Sequence, residues 1–178
     1  MKRGLLLLLL AALLLVSRAV TGQAPELGQG WVPEFTLTAR QLLQLAEATP
    51  ADKFGWRPAP GVRSMSEVYM HIAIANIVLL ERAGVKSEID STKLPKDPEK
   101  SVTGKAEVIQ WLRNSIEAVR KGYETADRQK KVQLFGKEAT ADGVFLRILV
   151  HDNEHMGQAI AYVRMNGITP PWSQAAGR

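Results

Sequence analysis

Apolar residues recur at steps of three and four along four separate stretches of the chain, and each stretch predicts an amphipathic helix. The first covers about residues 35–48, where Leu37, Leu42, Leu43, Leu45 and Ala46 form one face and Pro50 ends the run. The second opens at Ser64-Met65-Ser66-Glu67. A serine followed three residues later by glutamate lets both side chains satisfy free backbone N–H groups at a helix start. This helix carries Val68, His71, Ile72, Ala75, Val78 and Leu79 on one stripe and runs to about Arg82, with Gly84 suited to the left-handed position after the last turn. The third is marked by Val108, Trp111, Leu112, Ile116 and Val119 and ends before Asp127. The fourth spans about 140–166, with Val144, Ile148, His151, His155, Ala159 and Tyr162 on its apolar stripe, Gly167 as its stop and Pro170-Pro171 beyond.

The connections are unlike one another. Residues 23–33 are rich in Gly, Pro and Gln and read as a flexible lead-in. Prolines and glycines make residues 54–61 a loop, in which Phe54 and Trp56 are placed to cover one end of a bundle. Residues 86–103 are charged, contain Pro95 and Pro98 and show no sustained period, which reads as a long crossover between helices two and three. Residues 128–137 are polar apart from Val132, Leu134 and Phe135, and fit either a short extended piece or a loop. With four helical patterns, no series of strands and no internal repeat, the fold class is all-α. The architecture expected is an antiparallel four-helix bundle over residues 34–175.

The first 22 residues stand apart from this domain. Met1-Lys2-Arg3 is a basic start, residues 5–16 are an unbroken apolar run, and residues 17–24 are mostly small residues suited to cleavage. This is the pattern of a secretory signal peptide, and a run of 12 is short against the roughly 20 residues that cross a bilayer. The mature protein is therefore expected to be exported, periplasmic or secreted, with no stable membrane insertion after cleavage. No cysteine occurs, which rules out a lipidated N-terminal cysteine, disulfides, thiolate ligands and a cysteine nucleophile. Cleavage removes Lys2, Arg3 and Arg18, so Lys+Arg falls from 23 to 20 against an unchanged 18 Asp+Glu, a net charge of about +2. No basic block interleaved with aromatics remains, and nucleic acid is not an expected partner. The sequence leaves a monomer and a homodimer equally open.

The chemistry is concentrated in the histidines. The chain has three, and all lie on inward stripes: His71 on the second helix, His151 and His155 on the fourth. Positions i and i+4 hold Cβ atoms roughly 6 Å apart, from which two imidazoles can converge on one ion. A single histidine on an apolar face is ordinarily a satisfied core residue. Three of three are harder to place that way, because each buried ring needs a partner and one shared metal satisfies all of them. Three neutral imidazoles would leave a divalent ion an open position for water, the layout of catalytic rather than closed structural sites, and water so placed has its pKa lowered toward neutrality. The residue after the first ligand is Asp152, so His151-Asp152-Asn153-Glu154-His155 is not the His-Glu-x-x-His pattern of metalloproteases. Asp152 and Glu154 point to different sides of the helix; either can orient a ligand imidazole from behind, although exposed helix carboxylates are more often simply solvated. Gln158, about one turn beyond His155, can hydrogen-bond a ligand or a substrate, or serve as a packing amide.

His151-Asp152-Asn153-Glu154-His155-Met156-Gly157-Gln158, with Ala161-Tyr162-Val163-Arg164-Met165-Asn166-Gly167 and Pro170-Pro171-Trp172-Ser173, resembles the last-helix signature of DinB-like four-helix-bundle proteins. Trp56-Arg57-Pro58 through Ser64 to His71 resembles their second-helix motif, and the likeness spans about residues 35–173. The resemblance implies a metalloprotein holding one divalent ion through His71, His151 and His155, with Zn, Ni or Fe(II) as candidates since imidazole suits them alike. It implies a divalent-metal-dependent enzyme, transferase- or hydrolase-like, acting on a small-molecule substrate that the sequence does not identify. Some related enzymes transfer thiol cofactors or isomerise thiol-dependent substrates, but those cofactors are cytoplasmic and an exported chain would lack them. The competing reading is a non-catalytic metal-binding or sensing bundle.

Overall fold

A computed structural model describes residues 27–174; the expected signal peptide at 1–22, the start of the lead-in and residue 175 lie outside the described residues. Four long helices form the body: α1 (Trp31–Ala48), α2 (Met65–Arg82), α4 (Lys105–Thr125) and α5 (Ala141–Met165). Two four-residue helices, α3 (Pro98–Ser101) and α6 (Pro171–Gln174), accompany them. A hairpin of β1 (Lys131–Leu134) and β2 (Lys137–Thr140) joins α4 to α5. The stretch at 128–137 is thus extended, and its strands turn through Phe135 and Gly136, both with positive φ, as tight two-residue hairpins require. Among the described residues no helix is long and apolar enough to cross a membrane.

α2 is the central element. It packs against α4 on one side and α5 on the other, while α1 closes the bundle against α5 and α4. Its start is fixed as the sequence pattern anticipates: Glu67 N donates to Ser64 Oγ at 3.3 Å and Ser64 N donates to Glu67 Oε2 at 2.6 Å. Its end turns at Gly84, whose φ is 75°. His71 meets His155 and Asn76 meets Asp152, so α2 and α5 run antiparallel. α1 and α4 form the other antiparallel pair, with Trp31 stacked on Tyr123 and Glu47 paired to Arg113. The long crossover carries the chain back along the bundle, and α4 therefore runs beside α2 in the same direction, Ser115 near Asn76 and Gly122 near Leu80. A methyl group at Gly122 would lie 2.5 Å from Leu80 Cδ1, so glycine sets how closely these helices approach.

α1 begins four residues earlier than the apolar pattern suggests, which takes residues 31–33 out of the lead-in. Trp31 explains the difference. Its ring stacks on Phe35 and Tyr123 at centroid distances of 4.4 and 4.1 Å, and its Nε1 donates to the Phe145 carbonyl at 2.9 Å. That anchor holds the first turn in helical form, and Pro33 is tolerated there because first-turn N–H groups have no intrahelical acceptor. At the opposite end Trp56 packs edge-on against Tyr162 at 5.4 Å and Phe54 is buried, so the 54–61 loop does cap the bundle.

Candidate metal centre

α2 and α5 bring the three histidines together. Ring centroids are 5.0 Å apart for His71 and His151, 4.6 Å for His71 and His155, and 4.5 Å for His151 and His155. One ring nitrogen from each lies within 4.8 Å of the others, and all three rings are half-buried rather than enclosed in the core. The i, i+4 spacing on α5 and the antiparallel crossing of α2 are sufficient to produce this grouping.

The outward nitrogens are anchored. Glu99 Oε1 lies 2.7 Å from His71 Nδ1, and Gln158 Oε1 lies 3.0 Å from His155 Nδ1. Gln158 is oriented in turn, since its Nε2 donates to the Tyr162 hydroxyl at 2.9 Å and its oxygen is thereby the atom left for the imidazole. Carbonyl and carboxylate acceptors require Nδ1–H, which leaves Nε2 of both rings with its lone pair. His71 Nε2 and His151 Nε2 are 3.2 Å apart. Nitrogens sharing a tetrahedral ion at roughly 2.0–2.1 Å would be separated by about 3.3 Å, so the donor set fits a divalent cation. Three histidines this close together could bind such an ion, and the burial of two of the rings favours the neutral form that binding needs. Burial pushes His151 down to about 4, with His155 and His71 adding to the effect, and burial likewise lowers His71, partly opposed by Glu99. His151 Nδ1 is buried without a partner.

Glu99 was not foreseen. It sits on α3 within the crossover, and its other oxygen accepts from Arg63 Nε at 2.7 Å. Burial raises its pKa, but the contacts from Arg63 and His71 outweigh that and hold the carboxylate below its ordinary value. Nothing in the sequence separates Glu99 from Glu88, Asp90 or Asp97 in the same charged segment; only the path of the crossover brings it to His71.

The flanking carboxylates divide. Glu154 is exposed and pairs with Arg147 at 2.8 Å, and it makes no hydrogen bond to an imidazole. Asp152, by contrast, is 0% exposed and faces the interior. No hydrogen bond of good geometry reaches either of its oxygens. Burial pushes its pKa well above the usual carboxylate range, with Asn76 offsetting only part of that. The expectation of an exposed carboxylate fails here because residue 152 falls on a side of α5 that faces α2, where Asn76 meets it. Of the sequence candidates behind the ligands, Gln158 is the one that touches an imidazole.

No curated protein matches the chain. Several solved structures share its fold, two of them DinB-like proteins. A DinB-like protein from Bacillus cereus ATCC 10987 superposes with a TM-score of 0.70 at 21% identity, over 80% of this chain and 95% of that one. A DinB-like protein from Bacillus subtilis gives 0.59 at 18% identity, over 78% and 92%. The sequence profile of the DinB superfamily matches residues 34–159, which takes in all of α2 and α4 and most of α1 and α5, with all three histidines. The chain belongs to the DinB superfamily.

Proposed function

We propose that His71, His151 and His155 hold one divalent ion, Zn, Ni or Fe(II), and that the protein is an exported metal-dependent enzyme, transferase- or hydrolase-like. The observation that carries this is the anchoring of two of the three rings through Nδ1, by Glu99 and Gln158, with Nε2 left for a ligand. Such outer contacts accompany metal-ligating histidine and fix its tautomer. A divalent ion held by three neutral imidazoles supplies Lewis acidity at an open position. The chain's own groups do the rest: Glu99 and Gln158 orient the rings, Tyr162 orients Gln158, and burial keeps His71 and His151 unprotonated at neutral pH.

A metal held only to brace the fold makes opposite demands. α1, α2, α4 and α5 already share a contiguous apolar core, so His155→Ala is expected to abolish tight metal binding while costing the apo-protein roughly 1 kcal/mol or less. Metal analysis of the purified mature protein gives the ion. Azide or a small thiol should shift the visible spectrum of a cobalt-substituted sample, because an open position accepts exogenous ligands. A spectrum unmoved by either, with a large drop in the melting temperature of the metal-loaded protein for His155→Ala, would make the centre structural and the enzyme reading wrong.

A further inference from the structure

Beside the histidines lies an open cleft of about 690 Å³ lined by Arg57, Val62, Arg63, Glu67, Glu99 and Gln158, with Gly61 and Lys100 at its edge. Its size is that of a small-molecule site. Two of its walls, Glu99 and Gln158, are the residues that hold His71 and His155. A molecule seated in the cleft therefore touches the two groups that orient His71 and His155, one side chain away from the rings themselves.

The charges here are arranged unevenly. Arg57 pairs with Glu67 at 3.2 Å, Arg63 with Glu99 at 2.7 Å and Lys100 with Asp97 at 3.3 Å, so the mouth groups balance one another. Three neutral imidazoles add no negative charge. Both charges of a bound divalent ion would then stand uncompensated, in a partly desolvated site where electrostatic attraction is stronger than in water. The two carboxylates cannot supply the balance, since each is already engaged. Glu67 accepts from Ser64 N and faces Arg57, and Glu99 is divided between Arg63 and His71. The arginines, however, keep donors in reserve. Arg57 gives Nη1 to the Val62 carbonyl and Nη2 to Glu67; Arg63 gives Nε and Nη2 to Glu99. Among the described residues Arg57 Nε and Arg63 Nη1 have no protein acceptor. Glu67 and Glu99 thus fix two guanidinium groups without exhausting them, and planar guanidinium donors match a carboxylate.

Resting on the metal reading above, we propose that the ligand of this centre is a small organic acid, its carboxylate seated in the cleft on Arg57 and Arg63 and its other end reaching past Glu99 and Gln158 toward the three histidines. Arg57 is then a specificity-determining residue. It does not touch the imidazoles, so it should govern which molecules bind and leave metal affinity alone.

The test titrates the cobalt-substituted mature protein, followed by its visible spectrum, with succinate and with butyrate, which has the same carbon chain but lacks the second carboxylate. Succinate should bind roughly tenfold or more tightly than butyrate, the usual strength of a charge-assisted contact. Arg57→Gln should erase that preference and Arg57→Lys should restore part of it, both with cobalt affinity unchanged. Glu67 keeps its Ser64 partner in either variant, so the start of α2 stays capped. Equal affinity for the two acids, or a succinate preference that survives in Arg57→Gln, would overturn the proposal while leaving the metal centre standing. Failure to take up cobalt at all would overturn both.

Discussion

Replacing Glu99 by glutamine probes the part of the centre contributed by the crossover. One carboxylate makes two contacts at 2.7 Å, to His71 Nδ1 and to Arg63 Nε, and so ties α3 to the start of α2 while fixing a tautomer. Glutamine has the same shape and retains one acceptor oxygen, but it carries no charge and can accept on one side only. Removing an outer partner of a ligating histidine lowers metal affinity by about 10–100-fold, or roughly 1.4–2.7 kcal/mol. The Glu99 side chain is 26% exposed, so solvent screens part of its field. Glu99→Gln is therefore expected near tenfold and Glu99→Ala nearer a hundredfold. Little of this should appear in the stability of the metal-free protein, because α3 is four residues long and buries none of them; a change of about 3 °C or less in Tm is expected. Competition for zinc against a chelator at neutral pH measures the first quantity and a thermal melt of the apo-protein the second. If zinc affinity is unchanged in Glu99→Ala, the carboxylate does not serve the imidazole and the reasoning fails. If affinity and Tm fall together, Glu99 is a brace for the crossover instead.

Burial of His151 and His71 without charge sets the acid behaviour of the apo-protein. Their pKa values in the fold lie below the unfolded value, His151 at about 4, so the unfolded chain takes up protons first. The contribution of the two rings should be constant above about pH 6.5 and be lost between there and about pH 4, by roughly 1–2 kcal/mol once partial exposure of the ring is allowed for; urea midpoints against pH in an Asp152→Asn background, which removes an opposing carboxyl, read this directly, and indifference to pH in that window would contradict it. Asp152 has the opposite sign. Burial raises its pKa in the fold well above the unfolded value, so it costs stability increasingly as pH rises above about 4. In the apo-protein Asp152→Asn should be neutral or stabilising at neutral pH and flatten the profile there; marked destabilisation would mean that the ionised form is bound by the fold. Gly122→Ala places a methyl group against Leu80 and should cost about 1–3 kcal/mol, with zinc affinity unaltered, since α4 supplies none of the three imidazoles; a melt and the same chelator competition check both halves.

What the sequence discloses and what it withholds follow from the range of the forces involved. Helix periodicity is local, so the four long helices, the Ser64–Glu67 cap and the stops at Gly84 and Gly167 are readable from neighbours a few residues away. His151 and His155 are readable for the same reason, and His71 joins them once two inward stripes are known to face each other. Trp31 escapes, because what keeps residues 31–33 helical is a stack on Tyr123 and a hydrogen bond to Phe145, both more than ninety positions distant. Glu99 escapes because its significance depends on where an aperiodic crossover passes.

Asp152 poses the most instructive case, since its position is readable and its surroundings are not. Successive residues on a helix are about 100° apart, so a residue adjoining His151 lies on the edge of the apolar stripe, where either solvent or another helix can meet it. α2 decides the matter: its Asn76, which also meets Ser115 of α4, is the side chain that faces Asp152 in the core. A local pattern of charge can therefore specify a carboxylate's direction without specifying its protonation. The packing of a helix far earlier in the chain sets that, one residue from His151, the ring whose Nδ1 is buried without a partner.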